Sequence, residues 1–415
     1  MKALTGGLLI DGTGKEPVAN ATVVIDDDGR IAWAGQTDSR PADAEVIDVS
    51  GMTIMPGLID CHVHLFVDLK PMHELALVPP SLRVVQASLN ARATLDAGIT
   101  TIRDTGGTPL GFKLAAQRGL IPAPRMKISV SIVSQTGGHT DFLLPGGIQY
   151  PLLPSGNELE WPNGVCDGVE EVRKTTRSIL RAGADFIKLC STGGVLSPSD
   201  EPGSTQFTRE EIAVMVYEAK AQGKTCAAHA QATEGIRNAV ESGVESIEHG
   251  IYLDESVIEA MKERGTFLVA TLVAPLWGER RAEQEPGSVL PESLRKAREV
   301  KRYHSESFRL AVESGVRIAM GTDTGVGPHG TNLEELCLMV EHGMEPSQAI
   351  VAATKTASEC LHMDNDIGTL EVGKLADLLV VNGNPLDDIG LLEDKSNLLM
   401  ILQGGRPHKD IVTSG

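Results

Sequence analysis

The chain has 415 residues and a formal charge of −19, from 37 Lys and Arg against 56 Asp and Glu. That charge repels polyanions on average, and no basic run is dense enough to override it, so no nucleic-acid partner is expected. With 41% hydrophobic but only 3% aromatic residues, and 44 glycines, the composition suits an α/β protein with an aliphatic core and tight turns, large enough for one big domain and a lesser one.

The opening MKALTGGLLIDGTGKEP lacks the long apolar core and cleavage site of a signal peptide. No window approaches the ~18 apolar residues needed to span a bilayer. Six cysteines (Cys61, Cys166, Cys190, Cys226, Cys337 and Cys360) are scattered without CxxC spacing, which reads as reduced thiols rather than a zinc finger. The expectation is a cytoplasmic protein with no membrane partner.

Residues 1–50 alternate short apolar runs with Gly/Asp turns (GGLLIDGTG, ATVVIDDDGRIAWAG, AEVIDVSG), the pattern of a small antiparallel sheet. It returns near the other end in LEVGKLADLLVVNGNP and NLLMILQGGRPHKDIV. Residues 1–55 and 366–415 together therefore predict a small β-sandwich domain built from both chain ends.

Between them, residues 56–365 repeat apolar strand and amphipathic helix. PGLIDCHVHL opens the series and TTIRDTG and RMKISVSIVS follow. Helical stretches ending in Gly then lead into DFIKLCSTGG, KTCAAHAQ, VESIEHG, TFLVATLV and VRIAMGTDTG. Repeated helix–Gly–strand units with buried strands mean a parallel sheet covered by helices. Their number favours a closed (β/α)8 TIM barrel, since an open dinucleotide-binding sheet would want a glycine-rich turn after its first strand. Two stretches, 137–166 and Pro275 to Pro291, are rich in Gly, Pro and charge and read as long loops, the first a candidate lid or substrate wall.

Alternate residues of a strand face the same side, so His62 and His64 can converge on one metal ion. Lys188, His229, His249 and Asp323 stand at later strand ends, where barrels place their chemistry. A buried, unpaired ammonium costs several kcal/mol. One way for Lys188 to be neutralised is reaction with carbon dioxide, giving an anionic carbamate ligand. These six residues at five strand ends predict a metal site rather than structural roles. His139, in the long loop, and His329, in GVGPHGTN, are candidate substrate contacts; His73, His304, His342, His362 and His408 read as structural.

PGLIDCHVH, DFIKL, AAHA, IEHG, GTDTG and GTLEVGKLADLLVV together resemble the amidohydrolase superfamily over nearly the whole chain. The resemblance implies a binuclear metal hydrolase: one divalent ion on His62, His64 and Asp323, a second on His229 and His249, and carboxylated Lys188 as the bridge. Zinc fits these ligands best. GGHTDFLLP and STGGVLSPSDEPGSTQFT are similar to the branch of Xaa-Pro dipeptidases, carboxypeptidase-type enzymes and ochratoxin-hydrolysing amidohydrolases. That branch implies substrate contact by His139, a small amide or dipeptide substrate, and a homo-oligomer. Where the branch often has a substrate-holding Tyr, this chain has Gln231.

The expected reaction is attack by a metal-bridging hydroxide on the amide of a dipeptide or N-acyl amino acid. Asp323 carries the proton to the leaving amine and His139 bonds the developing oxyanion. The alternative is another substrate of the same machinery: an ochratoxin-like amide, lactone, carbamate, phosphotriester or cyclic amide.

Overall fold

The short strands at the two chain ends cannot satisfy their backbone groups alone, and they hydrogen-bond into one eight-stranded sheet. In the computed structural model, which describes residues 1–36, 41, 44–144, 146–154, 157–198 and 200–413, Lys2–Leu9 pairs antiparallel with Val18–Ile25 and parallel with Glu45–Asp48 and Met52–Pro56. Met52–Pro56 then joins Leu378–Asn382 from the other chain end, and the sheet continues through Leu398–Gln403 to Arg406–Asp410. The expected antiparallel sheet is thus mixed. Parallel pairing needs a crossover, which the hairpin of Val18–Ile25 and Ile31–Gly35 supplies. The hydrogen bonds run along one path from Arg406–Asp410 to Ile31–Gly35, with Glu45–Asp48 branching from Lys2–Leu9. Leu4, Val23, Ile31, Ile54, Leu378 and Met400 fill its core.

The middle of the chain forms parallel strands. Leu58–Val63, Ile99–Asp104 and Arg125–Ile128 make a three-stranded sheet. Ile132–Val133, Ile187–Cys190, Cys226–Ala230, Ser246–His249 and Phe267–Val269 make a five-stranded one. Every residue of Leu58–Val63, Ile187–Cys190, Cys226–Ala230 and Ser246–His249 is buried, as expected for strands covered on both faces. The intervening helices Thr233–Ser242 and Glu255–Arg264 end at Gly243 and Gly265 with φ of 90° and 69°. Only glycine takes that left-handed cap without a Cβ penalty.

Three predicted elements differ. RMKISVSIVS is broken between Ile128 and Ile132, with Val130 at φ 66°. VRIAMGTDTG forms no regular strand; residues 317–324 are nonetheless bonded on both sides. Leu268 N donates to Arg317 O (2.8 Å) and Ala319 N to Leu268 O (2.9 Å); Cys61 N donates to Met320 O (2.9 Å) and His64 N to Thr324 O (2.8 Å). At Gly321 a side chain would collide with Val269 and His62, and Asp323 turns left-handed at φ 58°, which interrupts the ladder. Finally, the expected loop from Pro275 is largely helix, Val273–Gln284. Pro275 falls in its first turn, where a missing N–H leaves no intrahelical bond unmade. Buried Glu335 accepts from Leu272 N (2.8 Å) and Val273 N (2.9 Å) and so caps that end. Among the described residues, no helix is long and apolar enough to cross a membrane.

Candidate active site and metal centre

His62 and His64 project from the end of Leu58–Val63 with ring centroids 5.4 Å apart. Asp323 Oδ1 lies 3.5 Å from His62 Nε2 and 3.3 Å from His64 Nε2. The His249 ring is 5.1 Å from His62 and 4.6 Å from His229. Lys188, the second residue of the strand Ile187–Cys190, lines the same cleft. The six side chains singled out from sequence are thus brought to one place. His249, Thr271 and Asp323 all carry positive φ (74°, 57° and 58°). Left-handed non-glycine residues cost of the order of 1–3 kcal/mol each and persist only where surrounding structure over-determines them. Here His249 Nδ1 and Thr271 Oγ1 hold each other at 2.8 Å.

Sequence reasoning missed the groups behind these ligands. Glu248 is fully buried: its Oε2 accepts from His62 Nδ1 (2.7 Å), and its Oε1 from Arg103 (2.7 Å) and Ser246 Oγ (2.6 Å). That fixes the His62 tautomer with Nε2 free toward the cleft. Arg103 also donates to Cys61 O (2.6 Å). The signal was present, since Arg103 in TTIRDTG and Glu248 in SIEHG are charges inside apolar strands, as Lys188 is. His304 Nε2 donates to the carbonyls of Ala270 (2.7 Å) and His249 (3.1 Å), which gives this structural histidine a place behind the site.

His139 reaches the cleft from the long loop and stacks on His229, centroids 4.0 Å apart. Its Nδ1 lies 3.0 Å from Ser197 Oγ and 3.9 Å from Asp200 Oδ2. Ser197 in turn donates to Asp200. Lys296, from the helix Pro291–Glu313, spends its ammonium on the carbonyls of Gly194 (2.8 Å), Ser197 (2.5 Å) and Asp200 (2.9 Å), pinning this loop. Burial alone would raise the Asp200 carboxyl. The nearby His139 ring and hydrogen bonds from Ser197 Oγ and Gly194 N outweigh it and hold the group at about 2, below its ordinary 3.8. Because the folded value is the lower one, Asp200 contributes stability above pH ~4 that is lost as pH falls toward 2. Thermal unfolding of wild type and Asp200→Asn across that window should converge at the acid end. Parallel curves throughout would contradict it.

Apolar side chains wall the cleft, among them Phe142, Leu152, Leu196, Ile251, Val289 and Val326. Phe142 and Leu152 come from the long loop expected to form a substrate wall, and Val289 from just beyond the unexpected helix. Gln231 is buried in this wall, and its Oε1 has no hydrogen-bond partner among the described residues. His329 is not brought to the cleft: its Nδ1 lies 3.4 Å from Thr94 Oγ1, and burial lowers its pKa to about 4. Its place after the Asp323 turn suggested proximity, but Gly330 packs against the Ala93 carbonyl and directs the chain toward the helix Pro80–Asp96.

The donor set fits divalent metal. Ligand atoms of His62, His249 and Asp323 lie within 4.8 Å of one another. Burial holds His62, His229 and His249 well below the usual histidine range, keeping them neutral with a lone pair to give. Lys188 Nζ is buried with no hydrogen-bond partner among the described residues. Burial lowers its pKa, which favours the neutral, nucleophilic amine.

Residues 53–407 match the model of the amidohydrolase family. An ochratoxinase of Aspergillus niger is 35% identical over 97% of this chain and 85% of its own length, and its crystal structure superposes with a TM-score of 0.87 at 33% identity, covering 99% of this chain and 95% of that one. A crystal structure of a Xaa-Pro dipeptidase with bound methionine has a TM-score of 0.88 at 33% identity, covering 98% and 99% of the two chains. An imidazolonepropionase of Cutibacterium acnes is 26% identical over 87% of this chain and 84% of its own. By family match, fold and site together, this chain belongs to the amidohydrolase family of enzymes that hydrolyse carbon–nitrogen bonds.

Proposed function

We propose that the protein is a binuclear metal-dependent hydrolase of small amides: dipeptides, N-acyl amino acids or, as the ochratoxinase relative and the apolar cleft favour, aromatic amides of the ochratoxin kind. The observation that carries this reading is the gathering of His62, His64, His229, His249 and Asp323 in one cleft with the buried amine of Lys188, which has no hydrogen-bond partner among the described residues. His62, His64 and Asp323 would hold one ion and His229 and His249 the other, with carboxylated Lys188 shared between them. Divalent cations of this kind, zinc best matching the ligands, lower the pKa of water toward neutrality and polarise a carbonyl.

The remaining steps belong to the chain. Asp323 takes the proton from the attacking water and delivers it to the leaving nitrogen. His139 stabilises the developing negative oxygen. Ser197 gives its own proton to Asp200 and so accepts from His139 Nδ1–H. The Asp200 carboxylate lies 3.9 Å from the same ring nitrogen. The apolar wall excludes bulk water, strengthening both interactions. We further propose that the parallel strands close into a (β/α)8 barrel. The hydrogen bonds of residues 317–324 to both Leu268 and the strand Leu58–Val63 support that closure.

The deciding experiment assays the metal-reconstituted protein on dipeptides, N-acyl amino acids and aromatic amides, each with free and blocked carboxyl groups, beside matched esters and lactams. Amide cleavage that chelation abolishes is expected; cleavage of esters or lactams alone would overturn the reading. Lys188→Met should bind about half the metal of wild type by mass spectrometry and remain folded. Undiminished metal content would remove Lys188 from the site.

A further inference from the structure

We propose that Thr271 is a positioning residue for the metal centre: its hydroxyl aims the His249 ring and so sets how tightly the second ion, the one on His229 and His249, is held. This rests on the metal-dependent reading above and adds a residue to it. A neutral imidazole carries one N–H and one lone pair, so the partner of one ring nitrogen decides whether the other can ligate. His62 Nδ1 faces the Glu248 carboxylate (2.7 Å) and His64 Nδ1 the Gly106 carbonyl (3.0 Å), both pure acceptors. For His249 that partner is instead the hydroxyl of Thr271, 2.8 Å from Nδ1. With the Nδ1 proton given to that oxygen, the Nε2 lone pair is left for an ion.

Strained backbone puts the hydroxyl there. Thr271 is fully buried in the cleft wall at φ 57°, a left-handed conformation that is an outlier for a β-branched side chain. It is held from both sides. His304 Nε2 donates to the carbonyl of Ala270 (2.7 Å) and to that of His249 itself (3.1 Å). On the other side, Glu335 accepts from Leu272 N (2.8 Å) and Val273 N (2.9 Å). His249 is left-handed too, at φ 74°. Two such residues persist at the ends of neighbouring strands only where their surroundings over-determine them, and what they produce here is the contact of Oγ1 with Nδ1. The His249 ring lies between those of His62 and His229, at centroid distances of 5.1 and 4.6 Å. A rotation that the hydroxyl no longer resists therefore carries Nε2 away from the second ion's other ligand.

The test titrates zinc into metal-free wild type, Thr271→Val, Thr271→Ala and Thr271→Ser against a chromophoric chelator. Bound metal is counted by mass spectrometry, and the melting temperature of each metal-free protein is taken beside it. Val keeps the branching but not the hydroxyl, and Ser keeps the hydroxyl but not the methyl. Wild type should bind two ions. Thr271→Val should hold one as wild type does and the other about 10–100-fold more weakly, the range for losing the partner behind a ligating histidine. Thr271→Ser should hold both as wild type does, and Thr271→Ala should repeat the loss if Thr271→Val does not fold. A role in packing alone predicts a different pattern: Ser and Ala would melt lower and zinc affinity would follow the methyl rather than the hydroxyl. That result overturns the proposal, as does equal weakening of both ions or an unchanged second ion in Thr271→Val. Wild type that binds two ions but cleaves no amide leaves the role of Thr271 standing and removes the hydrolase assignment, whereas wild type that binds fewer than two overturns both.

Discussion

Replacing Asp323 by Asn is expected to lower kcat/KM by about 10²–10⁴-fold, the range in which a positioned proton carrier contributes. The amide is close in shape, so its contacts with His62 and His64 at 3.5 and 3.3 Å remain sterically possible. It cannot accept a proton from water or return one to an amine. The melting temperature should stay within a few degrees of wild type, separating a chemical defect from unfolding, and metal content should be measured on the same sample. Turnover within about tenfold of wild type, with metal retained, would remove Asp323 as the proton carrier.

The largest effect on stability is expected at Glu248. Truncation to Ala leaves Arg103 buried with its guanidinium unpaired and His62 without its Nδ1 partner. Breaking a buried ion pair from one side costs about 3–5 kcal/mol, and loss of a carboxylate behind a metal-ligating histidine weakens metal binding by about 10–100-fold. Urea unfolding of the metal-free protein isolates the first quantity, and a competitive chelator titration reads the second. Because much of the first cost is the stranded cation, Glu248→Leu combined with Arg103→Met should recover most of the stability but none of the metal affinity. A double variant as unstable as Glu248→Ala would mean that the packing around these groups, rather than their charge, is decisive.

How much of this was legible in the sequence depended on the range of the interaction. The histidines at 62, 64, 229 and 249, with Asp323, could be read because each ends a buried apolar run, and Lys188 because it interrupts one. Strand ends are where a parallel sheet covered by helices gathers side chains. The hairpin crossover that makes the terminal sheet mixed is a tertiary outcome with no local signature. His329 was misplaced because sequence distance from Asp323 says nothing about the direction in which a left-handed turn sends the chain. Helix Val273–Gln284 was hidden by Pro275, which reads as a breaker unless it falls in the first turn. Glu248 and Arg103 carry the same signal as Lys188, a charge inside an apolar strand. Lys296, Ser293 and Ser307 were concealed more thoroughly. They are polar residues on the buried face of Pro291–Glu313, and periodicity assigns such positions to solvent.

That last helix has a consequence for how the enzyme fails. Ser293 bonds Leu196 O (3.1 Å) and Lys296 grips the carbonyls of Gly194, Ser197 and Asp200, while two turns on His304 steadies His249 and Ala270, and Ser307 bonds Ile251 O (2.6 Å). One rod thereby clamps the loop behind His139 and the backbone beneath His249, so the two walls share a single mechanical support. Loosening that rod by warming would release both walls in the same event, and the enzyme should fall silent as a unit while the terminal sheet, which lends it no such bond among the described residues, is still intact.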